Sequence, residues 1–327
     1  MQMSNAKRTR TVSKPQHFTS PPHGTLQKLT YTGPTGSANY YVYTPAHYHV
    51  GTSMPMIIML HPCMQTPEDF AAGTGMNDLA NQHNFIVVYP EQTSQNNGGE
   101  CWNWFDPANQ VRGSGEAAII AGIAHQVENN TSRWTIDKKR VYVAGMSAGA
   151  AMSVIMGATY PDIFAAIGVH SGLEYQAGTS VTSSVTAMAF GGPDPTQQGQ
   201  AAYHAMGKYA RAMPVIVFHG SADTTVNPIN GQQVVEQWME TNHLASKAYN
   251  ARFSSPASTI THISPGGYPY TVQKWKDKRG HVVAEYWVVD GMGHAWSGGR
   301  LGGLFTDPFG PSASQAMYEF FMNHPRH

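Results

Sequence analysis

Arg140-Val141-Tyr142-Val143-Ala144-Gly145-Met146-Ser147-Ala148-Gly149-Ala150-Ala151-Met152-Ser153-Val154-Ile155-Met156 reads as a strand, a sharp turn and a helix. The apolar run ending at Ala144 suits a buried strand, and the stretch after Gly149 has a helix-forming composition. Between them, Gly145 to Gly149 fits the pattern G-x-S-x-G. That pattern carries chemistry only in this setting, where small glycines let a strained elbow lift the serine hydroxyl above the sheet, beside the next helix's N-terminus. Ser147 is therefore the candidate nucleophile. A buried packing turn of Gly, Ala and Ser is the competing reading of the same five residues.

The pattern around the elbow repeats along the chain. Short apolar runs occur at Met56 to Leu60, Phe85 to Tyr89, Val141 to Ala144, Ala165 to Val169, Val215 to Phe218 and Tyr286 to Val289, as expected of strands buried on both faces. Helix-like stretches lie between or after them at Glu68 to His83, Gly115 to Glu128, Ala148 to Tyr160, Gly199 to Ala212, Gly231 to Thr241 and Ser312 to Met322. Such alternation predicts an α/β fold with a mostly parallel central sheet flanked by helices. Two earlier segments, Gln27 to Tyr31 and Asn39 to Tyr43, are extended and suggest an N-terminal hairpin or edge pair. Residues 1–24 read as a mobile arm and 25–327 as a single catalytic domain. Within it, 172–199 lacks periodicity and is expected to form a loop or small cap over the strand ends.

A serine hydroxyl needs a base within hydrogen-bond reach and an acid that fixes the base's tautomer. In α/β-hydrolases these follow the nucleophile in the order acid, then histidine, each just past a strand. Asp223, directly after the Pro214 to Phe218 strand, and His294, in the glycine-flexed loop Asp290-Gly291-Met292-Gly293-His294, satisfy that order. Asp194 and Asp290 are less well placed rivals for the acid. His170 and His219 also follow strands, but read as core or supporting residues. An oxyanion hole needs two N–H donors. Ala148, at the helix start, is the first candidate; the second is Cys63, because Pro62 in the loop after the Met56 run has no N–H. No histidine spacing matches a metal site, so neither a metal nor a cofactor is expected.

Composition narrows the partners. Lys and Arg together number 20, as do Asp and Glu, leaving no net field to attract nucleic acid. Charged residues make up only 12%, a low-charge surface suited to a neutral polymer. No apolar run reaches the ~18 residues of a membrane helix. The basic first residues lack an apolar h-region, so either the protein is cytoplasmic or a leader was trimmed. Cys63 and Cys101 permit one disulfide or two free thiols.

His61-Pro62-Cys63-Met64-Gln65, Tyr89-Pro90-Glu91-Gln92, Cys101-Trp102-Asn103-Trp104-Phe105, Gly145 to Gly149 and Gly293-His294-Ala295-Trp296-Ser297-Gly298-Gly299 occur in the order found in one family. By these motifs the chain resembles the poly(3-hydroxybutyrate) depolymerase esterases over roughly Asn39 to Gly299. The resemblance implies Ser147, Asp223 and His294 as catalytic residues, Cys63 and Ala148 as oxyanion donors, and a Cys63–Cys101 disulfide, hence a secreted protein. It implies hydrolysis of polyester or its oligomers through an acyl-enzyme. The alternative is a feruloyl or acetylxylan esterase, since a fold does not choose the acyl group; a non-catalytic polymer-binding protein is the remote one. Pro62 departs from the glycine usual there. No Thr-rich linker or adhesion module follows the core, which turns the expectation toward oligomers or amorphous polymer. Trp102, Trp104 and Trp296 are the expected substrate contacts, with packing the competing role for each. A monomer is expected.

Overall fold

A computed structural model describes residues 23–263 and 265–327. The chain enters through an antiparallel hairpin, Thr25–Gly33 (β1) and Gly36–Thr44 (β2). Of the expected mobile arm, residues 1–22 lie outside the described part, and at Gly24 the N–H already donates to the Tyr43 hydroxyl.

All six apolar runs become strands that lie parallel to one another. They are Met54–Leu60 (β3), Ile86–Pro90 (β4), Ile136–Met146 (β5), Ile167–His170 (β6), Val215–Gly220 (β7) and, after two further strands, Val282–Val289 (β10). The two further strands, Ser258–His262 (β8) and Tyr270–Lys276 (β9), extend the far edge in antiparallel fashion. Among the described residues the order is β1-β2-β4-β3-β5-β6-β7-β10-β9-β8. The sequence reading missed β8 and β9, because Ser258 to His262 is polar and mostly exposed, with no buried face to mark it.

Each sheet face buries its own core. On one side lie Gly115–Asn129 (α3), Ala148–Thr159 (α4), Pro195–Met206 (α6) and Ile229–Ala245 (α7), against Met56, Ile58, Val143 and Val217. On the other lie Pro67–Thr74 (α1), Met76–His83 (α2) and Ala313–Met322 (α8), against Ile57, Met59, Tyr142 and Phe218. Alternate residues of one strand thus feed opposite cores, which is why the central strands read as unbroken apolar runs. Where one helix was expected at Glu68 to His83 there are two. A Thr66 and Asp69 capping box starts α1, and Gly75, at φ 66°, turns the chain before α2.

The 172–199 segment, expected as a loop or small cap, is partly helical. It holds a full helix, Val181–Phe190 (α5), started by a Ser180–Ser183 capping box, and the first turn of α6, capped by Asp194. Periodicity failed there because Val181, Val185 and Phe190 are exposed, leaving no apolar stripe on the inner face to count.

Near the start of this segment Glu174 is buried, and neither carboxylate oxygen has a hydrogen-bond partner among the described residues. Burial, reinforced by Asp194 and Glu236, pushes its carboxyl up to about 9 from the usual 4.5. The unfolded chain releases this proton near 4.5 while the folded chain keeps it, so the residue costs stability increasingly as pH rises above 4.5 and nothing well below it. Glu174→Gln should raise the thermal unfolding midpoint at pH 8 and leave it nearly unchanged at pH 4. An equal gain at both pH values would remove ionisation of Glu174 as the cause.

Candidate active site

At the end of β5 the chain reverses through Ser147, which has φ 55° and ψ −119°, a conformation that costs a non-glycine residue ~1–3 kcal/mol. The flanking glycines explain how it is held. A Cβ on Gly149 would lie 2.0 Å from the Leu60 carbonyl oxygen and 2.7 Å from that of His61. One on Gly145 would lie 2.4 Å from the Gly149 carbonyl. The first turn of α4 therefore packs backbone to backbone on the end of β3. The Ser147 N–H donates to the His170 carbonyl at 3.0 Å, and the Ser147 carbonyl accepts from Ala151 N–H at 2.9 Å. Both ends of the strained residue are thereby tied.

Asp223 follows β7, and its side chain is fully buried. One oxygen accepts the Thr225 and Val226 N–H groups, each at 2.9 Å. The other accepts His294 Nδ1 at 2.8 Å and has His219 Nε2 at 3.4 Å. Burial alone would raise this carboxyl. Hydrogen bonding and electrostatic attraction from the His219 and His294 imidazoles outweigh that and hold it well below the usual carboxylate range. An ionised Asp223 fixes the His294 proton on Nδ1 and leaves Nε2 bare to take one. The rival aspartates are engaged elsewhere: Asp194 caps α6 through Thr196 N–H, and Asp290 accepts from the Ser221 hydroxyl. Among the described residues no group of three or more His, Cys, Asp or Glu side chains is arranged to hold a metal ion.

The loop after β3 is braced from beneath. Cys63 is bonded to Cys101, and Met64 N–H donates to the Gly99 carbonyl at 2.8 Å. His61 donates from Nδ1 to the Pro62 carbonyl at 2.8 Å and accepts the Gln92 N–H on Nε2 at 3.0 Å. Gln92 and Asn103 in turn donate to the half-buried carboxylate of Glu116. Burial nevertheless raises that carboxyl above its usual value. The Leu60 and His61 carbonyls lie against Gly149, so the Cys63 loop and the Ala148 N–H at the head of α4 are neighbours. The sequence reading missed Gln92, Asn103 and Glu116. In sequence Glu116 looks like an ordinary acidic residue of a helix's first turn, and nothing marks it as turned inward.

The tryptophans differ from expectation. Trp296 has no exposed surface; it stacks on His170, meets Phe70 edge-on and donates from Nε1 to Ser314 Oγ. It is a packing residue, and so are the buried Trp102 and Trp104. A ring whose faces are all occupied presents none to a ligand. Exposed apolar side chains beside the site include Met64, next to Cys63, and Leu304, whose carbonyl accepts from Gln65 Nε2. Phe305 also approaches the site, its ring edge-on to His294.

Comparison with known proteins follows the same lines. A family model described as "Esterase PHB depolymerase" matches residues 38–258. Poly(3-hydroxyalkanoate) depolymerase C of Paucimonas lemoignei is 39% identical over 252 residues, covering 75% of this chain and 57% of that protein. Acetylxylan esterase A of Talaromyces purpureogenus is 30% identical over 258 residues, covering 76% and 63%. The chain thus spans less than two thirds of the length of both relatives. Among solved structures, the acetyl xylan esterase from Aspergillus awamori superposes with a TM-score of 0.72 at 26% identity, over 92% of this chain and 100% of that one.

Gly149→Ala tests the elbow. The added methyl meets main chain rather than a movable side chain, so α4 must shift away from β3. We expect a stability loss of about 2 kcal/mol or more by denaturant unfolding, with slowed phosphonate labelling of Ser147 in the fraction that folds. Wild-type stability with wild-type labelling would refute the backbone contact.

Proposed function

The chain belongs to the esterase PHB depolymerase family, and we propose that it is a secreted serine esterase hydrolysing poly(3-hydroxybutyrate)-type polyester or its oligomers. In this reading Ser147 Oγ attacks the ester carbonyl carbon and its proton passes to His294 Nε2. Asp223 stabilises the resulting imidazolium, and the Cys63 and Ala148 N–H groups donate to the oxyanion. The tetrahedral intermediate expels the alcohol, which takes the proton from His294. Water then attacks the acyl-enzyme with His294 as base, releasing the hydroxy acid and restoring Ser147.

The observation that favours a polyester is the surface bordering the site. The segments carrying the catalytic candidates, or bonded to them, expose apolar side chains. Met64 adjoins Cys63 and is 61% exposed, and Leu304 precedes the Phe305 that meets His294. Helix α5 has no charged residue and exposes Val181, Val185 and Phe190; its last turn is tied to the acid loop by Asn227, which donates to the Met188 and Ala189 carbonyls. Exposed apolar side chains of this kind, with an uncharged α5, suit a polymer of methyl-bearing esters better than a hydroxyl-rich polysaccharide. The higher identity to a depolymerase than to the acetylxylan esterases leans the same way. Acetylxylan hydrolysis is the second reading, supported by the superposition on a whole acetyl xylan esterase. The disulfide supports secretion, because such bonds persist in oxidising compartments.

Product chromatography decides between substrates. Amorphous poly(3-hydroxybutyrate), acetylated xylan and methyl ferulate are incubated with the wild type and with Ser147→Ala as the blank. Hydroxybutyrate monomers and dimers from the wild type alone are expected; acetate or ferulate without them would move the assignment to a polysaccharide esterase. A Val185→Asp, Phe190→Ser double variant should lose polymer hydrolysis several-fold while keeping activity on a soluble p-nitrophenyl ester. Equal loss on both would detach α5 from polymer recognition.

A further inference from the structure

His170 ends β6 and is completely buried. Its main-chain carbonyl accepts the Ser147 N–H at 3.0 Å, inside the strained elbow. Its ring reaches the other half of the site: Nε2 is 3.0 Å from the N–H of Ser297, three residues past His294. A backbone N–H can only donate, so Nε2 carries no proton. The ring proton is on Nδ1, which donates to Ser171 Oγ at 3.0 Å. Burial, with His219 and His294 nearby, keeps this imidazole neutral by lowering its pKa well below the usual value, against the opposing pull of Asp223.

The segment after His294 is held by three successive N–H groups. Trp296 N–H donates to the Phe305 carbonyl and Gly298 N–H to the Asp307 carbonyl, pairing Trp296–Ser297 (β11) with Thr306–Asp307 (β12). The middle one, from Ser297, goes to the His170 ring, on the strand beside the one that delivers Ser147. Phe218, 5.5 Å away, and Trp296, 4.8 Å away, stack on the two sides of that ring and fix its plane.

We infer that His170 is a positioning residue that sets the distance between nucleophile and base, its carbonyl holding the Ser147 turn while its unprotonated Nε2 holds the His294 segment. The inference rests on the reading of Ser147 and His294 as nucleophile and base. Displacing reacting groups by ~1 Å costs up to ~100-fold in rate, which sets the expected scale.

Two variants separate this role from packing. His170→Phe keeps a flat ring between Phe218 and Trp296 but removes the acceptor; His170→Gln gives up stacking but keeps an acceptor near the Nε2 position. Neither alters the main-chain carbonyl. On p-nitrophenyl butyrate, His170→Phe should lose about 10- to 100-fold in kcat with KM little changed, and His170→Gln should stay within a few-fold of wild type. Hydrogen exchange of the 293–299 segment should accelerate in His170→Phe and not in His170→Gln. If His170→Phe fails to fold, His170→Asn, whose amide is too short to reach Ser297, replaces it. A phenylalanine variant as active as wild type, or less impaired than the glutamine variant, with unchanged exchange, would overturn the inference. Ser147→Ala and wild type run alongside. A wild type without esterase activity would count against the esterase reading, and the exchange measurement would still decide whether His170 holds the segment.

Discussion

Gly149 lying against the Leu60 carbonyl is the contact from which the rest of the site follows. Because a helix terminus meets a strand terminus without side chains between them, the chain can reverse within one residue, and Ser147 must accept a left-handed backbone. The same approach places the orphan N–H groups of α4 beside the loop after β3. Nothing in the local composition repays the strain at Ser147. It is offset by the two cores above and below β5, where Tyr142, Val143, Ala144 and Met146 are all fully buried.

Three carboxyl groups, Asp223 and Glu174 buried and Glu116 half-buried, show how environment divides one functional group among different tasks. Asp223 receives two backbone N–H groups and a histidine N–H, and stays ionised. Glu116 is also well supplied with donors, yet burial wins and its carboxyl is raised; its task is to tie Gln92 and Asn103 beneath the disulfide-closed loop. Glu174 has no partner at all and keeps its proton. The first environment suits a residue that would stabilise an imidazolium, whereas an acid that keeps its proton at neutral pH, as Glu174 does, could not offset a positive charge.

The parallel strands and the elbow were legible because they obey strong local rules. Unbroken apolar runs mean burial on both faces, and glycine at both ends of G-x-S-x-G means backbone contact. Of the three aspartates considered, Asp223, after β7, is the one that the structure shows bonded to His294, while Asp194 caps α6 and Asp290 accepts from Ser221. What stayed hidden depends on contacts between distant segments. Glu116 meets Gln92 and Asn103 across the fold, and His170 meets Ser297 across 127 positions. Trp296 was misread for a related reason. Closeness in sequence to His294 suggested closeness to a ligand, but β11 turns the indole inward, onto His170 and Phe70.

Helix α5 shows why the substrate is harder to read than the fold. A helix that packs by one face announces itself by an apolar stripe, whereas Val181-Thr182-Ser183-Ser184-Val185-Thr186-Ala187-Met188-Ala189-Phe190 places small buried residues inward and larger apolar ones outward. Its position is set instead by polar contacts at both ends. Gln110 Nε2 reaches the Gly178 carbonyl near its start, and Asn227 and Asn230 reach its last turn. Because those contacts fix the backbone and not the outer side chains, the outward face is free to vary without loss of the fold. Hydrogen bonds at Ser147, Asp223 and His294 constrain the strand ends closely, whereas exposed side chains such as Val185 and Phe190 are under no such constraint, and periodicity does not reveal what they meet.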